Sequence, residues 1–203
     1  MHAENLYQRF ITLLGVPIKP PSHSYLSELV RAHLSVIPFE NISKIYYKTH
    51  LGLTEIPPLE LYLEGVEKHH FGGTCYSNNY YFFKLLENLG YEVILCAADM
   101  KNPGSHAVRP GARRIEDFSE VITNSFRPDS TFFNTVLLTK YKSGCFCVLH
   151  NLEFIESTPG RSAVHQLSDL DAMVQRIENT FKIKQSITQD IITGIELTSD
   201  AWD

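Results

Sequence analysis

The stretch His70-Phe71-Gly72-Gly73-Thr74-Cys75-Tyr76-Ser77-Asn78-Asn79 places one cysteine just after a glycine pair. Adjacent glycines permit backbone angles and close approaches that a Cβ would forbid, which suits a tight turn into a helix. Cys75 then stands at the helix start, where unpaired N–H groups and the positive end of the helix dipole favour a thiolate over a thiol. That is how a nucleophile is prepared; a small buried hydrophobe is the other reading of the same cysteine. A cysteine nucleophile needs a base to hold its proton, and usually a third group to orient that base. Among nine histidines, His106 is the candidate, because it follows an apolar strand and a Pro/Gly loop from which a side chain can reach across to a helix start. His2, His23, His50 and His69 lie in polar surroundings and read as surface groups. His70, shortly before Cys75, offers a local electrostatic neighbour. The spacing Cys145-Phe146-Cys147 puts two sulfurs on one face of a strand, but no second pair accompanies them, so no metal is expected.

The elements that must position these residues follow from periodicity. Residues 4 to 15 put Leu6, Phe10, Leu13 and Leu14 on one helical face and stop at Gly15. After Pro20-Pro21, Ser24 is read as the cap of a second helix carrying Tyr25, Leu26, Leu29, Val30 and Leu34. Glu40 sits between apolar neighbours, which implies a structural partner rather than free solvation. Residues 57 to 69 predict a third helix, and residues 79 to 89 a strongly buried fourth one closed by Gly90. Residues 92 to 98 read as an interior strand. Between 109 and 130 the pattern weakens, as in a surface loop or a shortened sheet. Phe132 to Leu138 and Phe146 to Ile155 read as a hairpin turning near Lys142-Ser143-Gly144. Ser168-Asp169 caps a last helix through Phe181, and the tail beyond Ser186 is expected to be partly ordered at best. The chain is therefore expected to be α+β. A helical bundle over residues 1–90 carries the nucleophile, and a reduced antiparallel sheet with a C-terminal helix fills residues 91–203.

The bulk properties narrow the partners. Across 203 residues the apolar share is 43% and the charged share 20%, ordinary for a globular protein. A formal charge of -5 offers no basic field, so nucleic acid is not an expected partner. The first residues lack the pattern of a secretory signal, and no apolar run approaches the length that crosses a bilayer. Four unevenly placed cysteines do not make a disulfide scaffold. A cytoplasmic protein acting on a small molecule, with no membrane partner, is the expectation; the oligomeric state is left open.

With its motifs taken in order, the chain resembles the arylamine N-acetyltransferase family. The resemblance rests on Pro38-Phe39-Glu40-Asn41, on Gly72-Gly73-Thr74-Cys75 with Asn79, on Leu85-Leu86-Glu87-Asn88-Leu89-Gly90-Tyr91-Glu92-Val93, and on Ser105-His106-Ala107. It covers residues 5 to 108 well and the remainder loosely, resuming at Pro128-Asp129-Ser130-Thr131-Phe132. The resemblance implies a papain-like cysteine-transferase core with Cys75 and His106 catalytic and Phe39 in contact with substrate. It implies acetyl-CoA as acyl donor, a Cys75 thioester, and ping-pong transfer to an arylamine or hydrazine, without a metal. A protein that keeps this fold for binding, or a Cys/His enzyme of altered acyl chemistry, is the alternative.

Three positions depart from the family pattern. Phe71 stands where members carry an arginine, which removes the usual charge partner of Glu40 and leaves His70 as the nearest substitute by sequence. Ser77 stands where Glu or Gln is more common. The Asp-Val-Gly-Phe-Gly motif, whose aspartate completes the triad, is missing, and residues 107 to 127 are too few for the family's middle barrel. Asp117 is the nearest downstream aspartate, but its surroundings look like a solvated turn or helix. Ser130 is placed in the CoA cleft by similarity alone.

Overall fold

In the computed structural model, residues 2–102, 105–142 and 144–194 are described, with the backbone alone for 2–4, 100–102, 105 and 106. Helices α1 (His2–Leu14) and α2 (His23–Val36) lead into a two-residue strand β1 (Phe39–Glu40), followed by α3 (Ile42–Leu51), α4 (Leu59–His69) and α5 (Cys75–Asn88). Strands β2 (Leu95–Asn102) and β3 (Ser105–Arg113) form a ribbon of their own. A 3₁₀ turn at Ile115–Phe118 and the short α6 (Ser119–Asn124) come next. Strands β4 (Leu137–Lys142), β5 (Cys145–His150), β6 (Glu153–Thr158) and β7 (Arg161–Gln166) precede α7 (Leu170–Phe181) and α8 (Gln185–Ile192). The main sheet is antiparallel, in the order β1-β4-β5-β6-β7.

Two apolar cores result. One gathers Phe10, Leu29, Tyr62, Leu63 and Leu85 from α1, α2, α4 and α5. The other packs α3, α7 and α8 onto the sheet face that carries Leu138, Leu149 and Phe154. The α+β architecture, with a helical region and an antiparallel sheet, is as expected. Its details differ where tertiary contacts overrode local signals. Ser22, not Ser24, caps α2, because Ser22 is extended (φ -158, ψ 160) and its Oγ accepts the Tyr25 N–H at 3.2 Å. The expected strand from 146 to 155 is two strands, broken where Asn151 turns left-handed (φ 49) and its N–H bonds Val136 O at 2.8 Å. The strand expected from Phe132 starts only at Leu137, since Phe133 and Asn134 turn back onto Ser130 O. The described residues end in two helices rather than one: the first part of the tail forms α8, which buries Thr188, Ile191 and Ile192 against α7 and α3, and residues 195–203 lie outside the described residues. Helix α3 escaped the periodicity because it turns inward a buried Lys44 and a half-buried Lys48, which interrupt the apolar repeat. No helix among the described residues is long and apolar enough to cross a membrane.

One buried base makes this core sensitive to acid. His33 is 7% exposed, its ring lies 4.5 Å from that of Phe82, and its Nε2 has no hydrogen-bond partner. Burial pulls it from 6.5 down to about 4. The unfolded chain therefore binds this proton below about pH 6.5, whereas the folded chain resists until about pH 4. Stability present above that window is lost as the pH falls through it, by up to about 3 kcal/mol. His33→Leu is expected to flatten the acid side of a melting-temperature profile between pH 6.5 and 4. Thermal melts at stepped pH check this, and an unchanged acid limb contradicts it.

Candidate active site

The site begins with the glycine pair, and the reason for glycine is space. Neither Gly72 nor Gly73 uses the left-handed region. A Cβ on Gly72 would lie 1.8 Å from Pro38 O, and one on Gly73 would lie 2.9 Å from the Ser77 Cβ. This closeness lets the Glu40 N–H donate to Gly73 O at 3.1 Å, so that Phe39 and Gly73 form a parallel bridge. On its other edge β1 pairs with β4, Phe39 facing Thr139 and Glu40 facing Leu138. Asn78 reinforces the junction, donating from Nδ2 to Pro38 O at 3.0 Å and accepting from the Tyr62 hydroxyl at 2.9 Å. Asn41 does the same toward the sheet, accepting the Leu137 N–H at 2.9 Å and donating to Thr135 O at 2.6 Å.

Glu40 is wholly buried, and its partners are backbone N–H groups together with the Ser43 side chain. Oε1 accepts the Gly72 N–H at 3.0 Å and Oε2 the Ser43 N–H at 2.8 Å. Burial raises its carboxyl above the ordinary range, and these hydrogen bonds oppose the rise. His70 does not take the arginine's place. It is exposed, ends α4 in a left-handed turn (φ 57), and feels the charges of Lys140, Lys182 and Lys184. Phe71 turns instead into an aromatic cluster, edge-on to Tyr47 with ring centroids 5.9 Å apart.

Cys75 is the first residue of α5, with Thr74 at the cap, and its thiol is free and half-buried. Burial pushes the thiol up; the Tyr76 N–H and the charge of Lys44 pull it back. Among the described residues burial therefore outweighs the helix start, contrary to the simple expectation that position alone yields a thiolate. Lys44 was not singled out in the sequence, where the only sign is a lysine among the apolar residues after Pro38-Phe39-Glu40-Asn41. It is buried, donates to Ser125 O at 2.5 Å and Oγ at 2.7 Å, and lies 4.4 Å from the Phe126 ring. Burial lowers it to about 8. A pocket lined by Lys44, Thr74, Tyr76, Ser77, Ile122 and Phe126 opens here. Its far wall comes from α6 and the residues after it, and Phe118 lies 5.8 Å from Tyr76, ring to ring.

The remaining candidates are placed as follows. Phe39 is half-buried, edge-on to Phe132 at 5.9 Å. The backbone of His106 lies in β3 opposite Met100, next to the last pair of the ribbon, Asn102 and Ser105; its side chain lies outside the described residues. Asp117 is exposed, and its Oδ2 accepts the Arg114 N–H at 2.9 Å, so it closes its own 3₁₀ turn. Ser130 donates to Ser125 O at 2.6 Å, within the segment that carries the pocket wall.

Residues 24–113 match a family model described as N-acetyltransferase. The N-malonyltransferase FDB2 of Gibberella moniliformis is 35% identical over 97 residues, which is 44% of this chain and 27% of that protein. The liver isozyme of arylamine N-acetyltransferase from Gallus gallus is 29% identical over 82 residues, 40% of this chain and again 27% of the relative. The aligned part thus spans only about a quarter of either relative, at 27%. Among solved structures, the arylamine N-acetyltransferase of Mycobacterium marinum superposes with a TM-score of 0.75 at 14% identity, covering 93% of this chain and 99% of that one. The same enzyme in complex with CoA gives 0.74 at 16% identity, covering 93% and 99%. The chain has the fold of the arylamine N-acetyltransferases.

Two substitutions test this geometry. Gly72→Ala is expected to break the contact with Pro38 O, which is backbone and cannot rotate away, and to lower the melting temperature sharply or prevent soluble expression. Lys44→Met keeps the stem and removes the charge that lowers the Cys75 thiol, so Cys75 should be alkylated severalfold more slowly at pH 7. The difference should shrink above about pH 8, where Lys44 itself is neutral. Iodoacetamide labelling of the Cys75 peptide, followed by mass against pH, reads both effects.

Proposed function

We propose that the chain is an acyl-CoA-dependent N-acyltransferase that carries the acyl group as a thioester on Cys75. The observation that carries this reading is the placement of Cys75 as first residue of α5, half-buried and within the field of Lys44. The match of residues 24–113 to an N-acetyltransferase model supports it, since that stretch contains both Cys75 and His106.

In the first half-reaction the Cys75 thiolate adds to the thioester carbonyl of acetyl-CoA. The C–S bond to CoA then breaks, CoA takes the His106 proton and leaves as its thiol, His106 is left neutral, and the acetyl group remains on the Cys75 sulfur. N–H groups of the first turn of α5 are suited to the oxyanion formed at each addition. In the second half an arylamine or hydrazine nitrogen adds to the acetyl-Cys75 carbonyl, loses its proton to His106, and expels the Cys75 sulfur. In the resting enzyme His106, as imidazolium, pairs with the thiolate and supplies the charge that offsets burial of the thiol. Phe39 contributes an apolar wall for the acceptor ring. The reading belongs with a reducing, cytoplasmic setting, because the thiol must stay free to acylate.

Mixing the chain with acetyl-CoA is expected to add one acetyl group to the intact mass, with the label on the Cys75 peptide and none on Cys75→Ser. An arylamine should then discharge the label and appear as its amide. A label from malonyl-CoA and none from acetyl-CoA would keep the thioester and change the donor. No label from either, together with iodoacetamide reactivity of an ordinary thiol, would overturn the reading in favour of a binding protein on this fold.

A further inference from the structure

The second pair of metal ligands missing from the sequence around Cys145-Phe146-Cys147 is supplied in part by topology. Cys145 and Cys147 project from the same face of β5, with their sulfurs 3.9 Å apart. Two thiolates on one tetrahedral zinc ion, at about 2.3 Å each, stand about 3.8 Å apart. The neighbouring strand brings a third donor. Glu156 of β6 lies directly across from Cys147, and one carboxylate oxygen and both sulfurs all fall within 4.8 Å of one another. His165 of β7 holds that carboxylate from the other side, its Nε2 3.5 Å from Glu156 Oε2, in the way outer partners commonly orient metal-binding groups.

We propose that Cys145, Cys147 and Glu156 form a binding site for a thiophilic divalent cation, with Zn2+ the ion whose geometry fits. Coordination displaces one proton from each thiol, so two protons leave per ion bound. Two thiolates and a carboxylate leave one negative charge on the complex. Lys140 and Lys142, opposite Cys147 and Cys145 in β4, are placed to compensate it. Cys147 closes the site toward the core, while Cys145 and Glu156 are only half-buried and give the ion its way in. The site lies at the rim of the main sheet and involves neither Cys75 nor the residues around it.

The test uses the full chain, kept reduced. Titration with Co2+ is expected to give a thiolate-to-cobalt charge-transfer band at one ion per chain, abolished by Zn2+, with two protons released per ion. Cys145→Ser should lose the band, and Cys75→Ser should keep it in full. His165→Ala should weaken binding about tenfold or more. Glu156→Gln, half-exposed and tolerable to the fold, should weaken it further, which keeps the test independent of any loss of folding in Cys147→Ser. Absence of the band, or a band that survives in both Cys145→Ser and Glu156→Gln, overturns the proposal.

Discussion

The clamp between Glu40 and the backbone of Gly72 and Ser43 is the constraint on which the site depends. A carboxylate taken wholly out of water must be met by donors, and removing it would leave two buried N–H groups unpaired at about 1–3 kcal/mol each. Here the donors are the backbone N–H groups of Gly72 and Ser43 and the Ser43 side chain. They fix the glycine pair against Pro38, and that contact in turn sets where α5 begins. Asn41 and Asn78, both buried, extend the same junction to β4 and α4. The nucleophile helix is thereby tied to the sheet through hydrogen bonds that apolar packing alone would not orient.

The presence of Phe71, which stands where the family resemblance would place an arginine, has a physical outcome. A guanidinium would bring one fixed charge beside Glu40; the aromatic ring brings packing against Tyr46 and Tyr47 and leaves the carboxyl to neutral donors. Burial accordingly raises the carboxyl above its usual range. Lys44 shows the converse. A buried ammonium is drawn down to about 8, and it survives near neutral pH because it is hydrogen-bonded to Ser125 and faces the aromatic ring of Phe126. Charge near Cys75 is thus supplied by a residue that lies on α3, outside the motif that marks the site.

The segment between the ribbon and the main sheet finds a use within the pocket. Where the sequence pattern fades, β3 ends at Arg113 and the chain folds through a 3₁₀ turn and α6 before the main sheet resumes at β4. Ile122, Ser125 and Phe126 from this segment line the pocket opposite Thr74 and Tyr76. Asp117 spends its carboxylate on its own turn, as its solvated surroundings suggested.

The sequence by itself determined the helices whose apolar faces repeat cleanly, the helix start at Cys75, the hairpin between β4 and β5, and the burial of Glu40. These depend on neighbours a few residues apart, so local pattern suffices. It did not reveal α3, because inward lysines broke the pattern, nor the split at Asn151 or the packing of α8, because a single left-handed residue and a weakly periodic segment gain their meaning from distant partners. The tertiary structure alone decided which groups meet Glu40, that the charge of Lys44 reaches Cys75, and that the glycines are required for closeness rather than for backbone angle. It also brought Glu156 to the two sulfurs of β5. Each of these is set by contacts between residues far apart in the chain, and only the folded backbone fixes such distances.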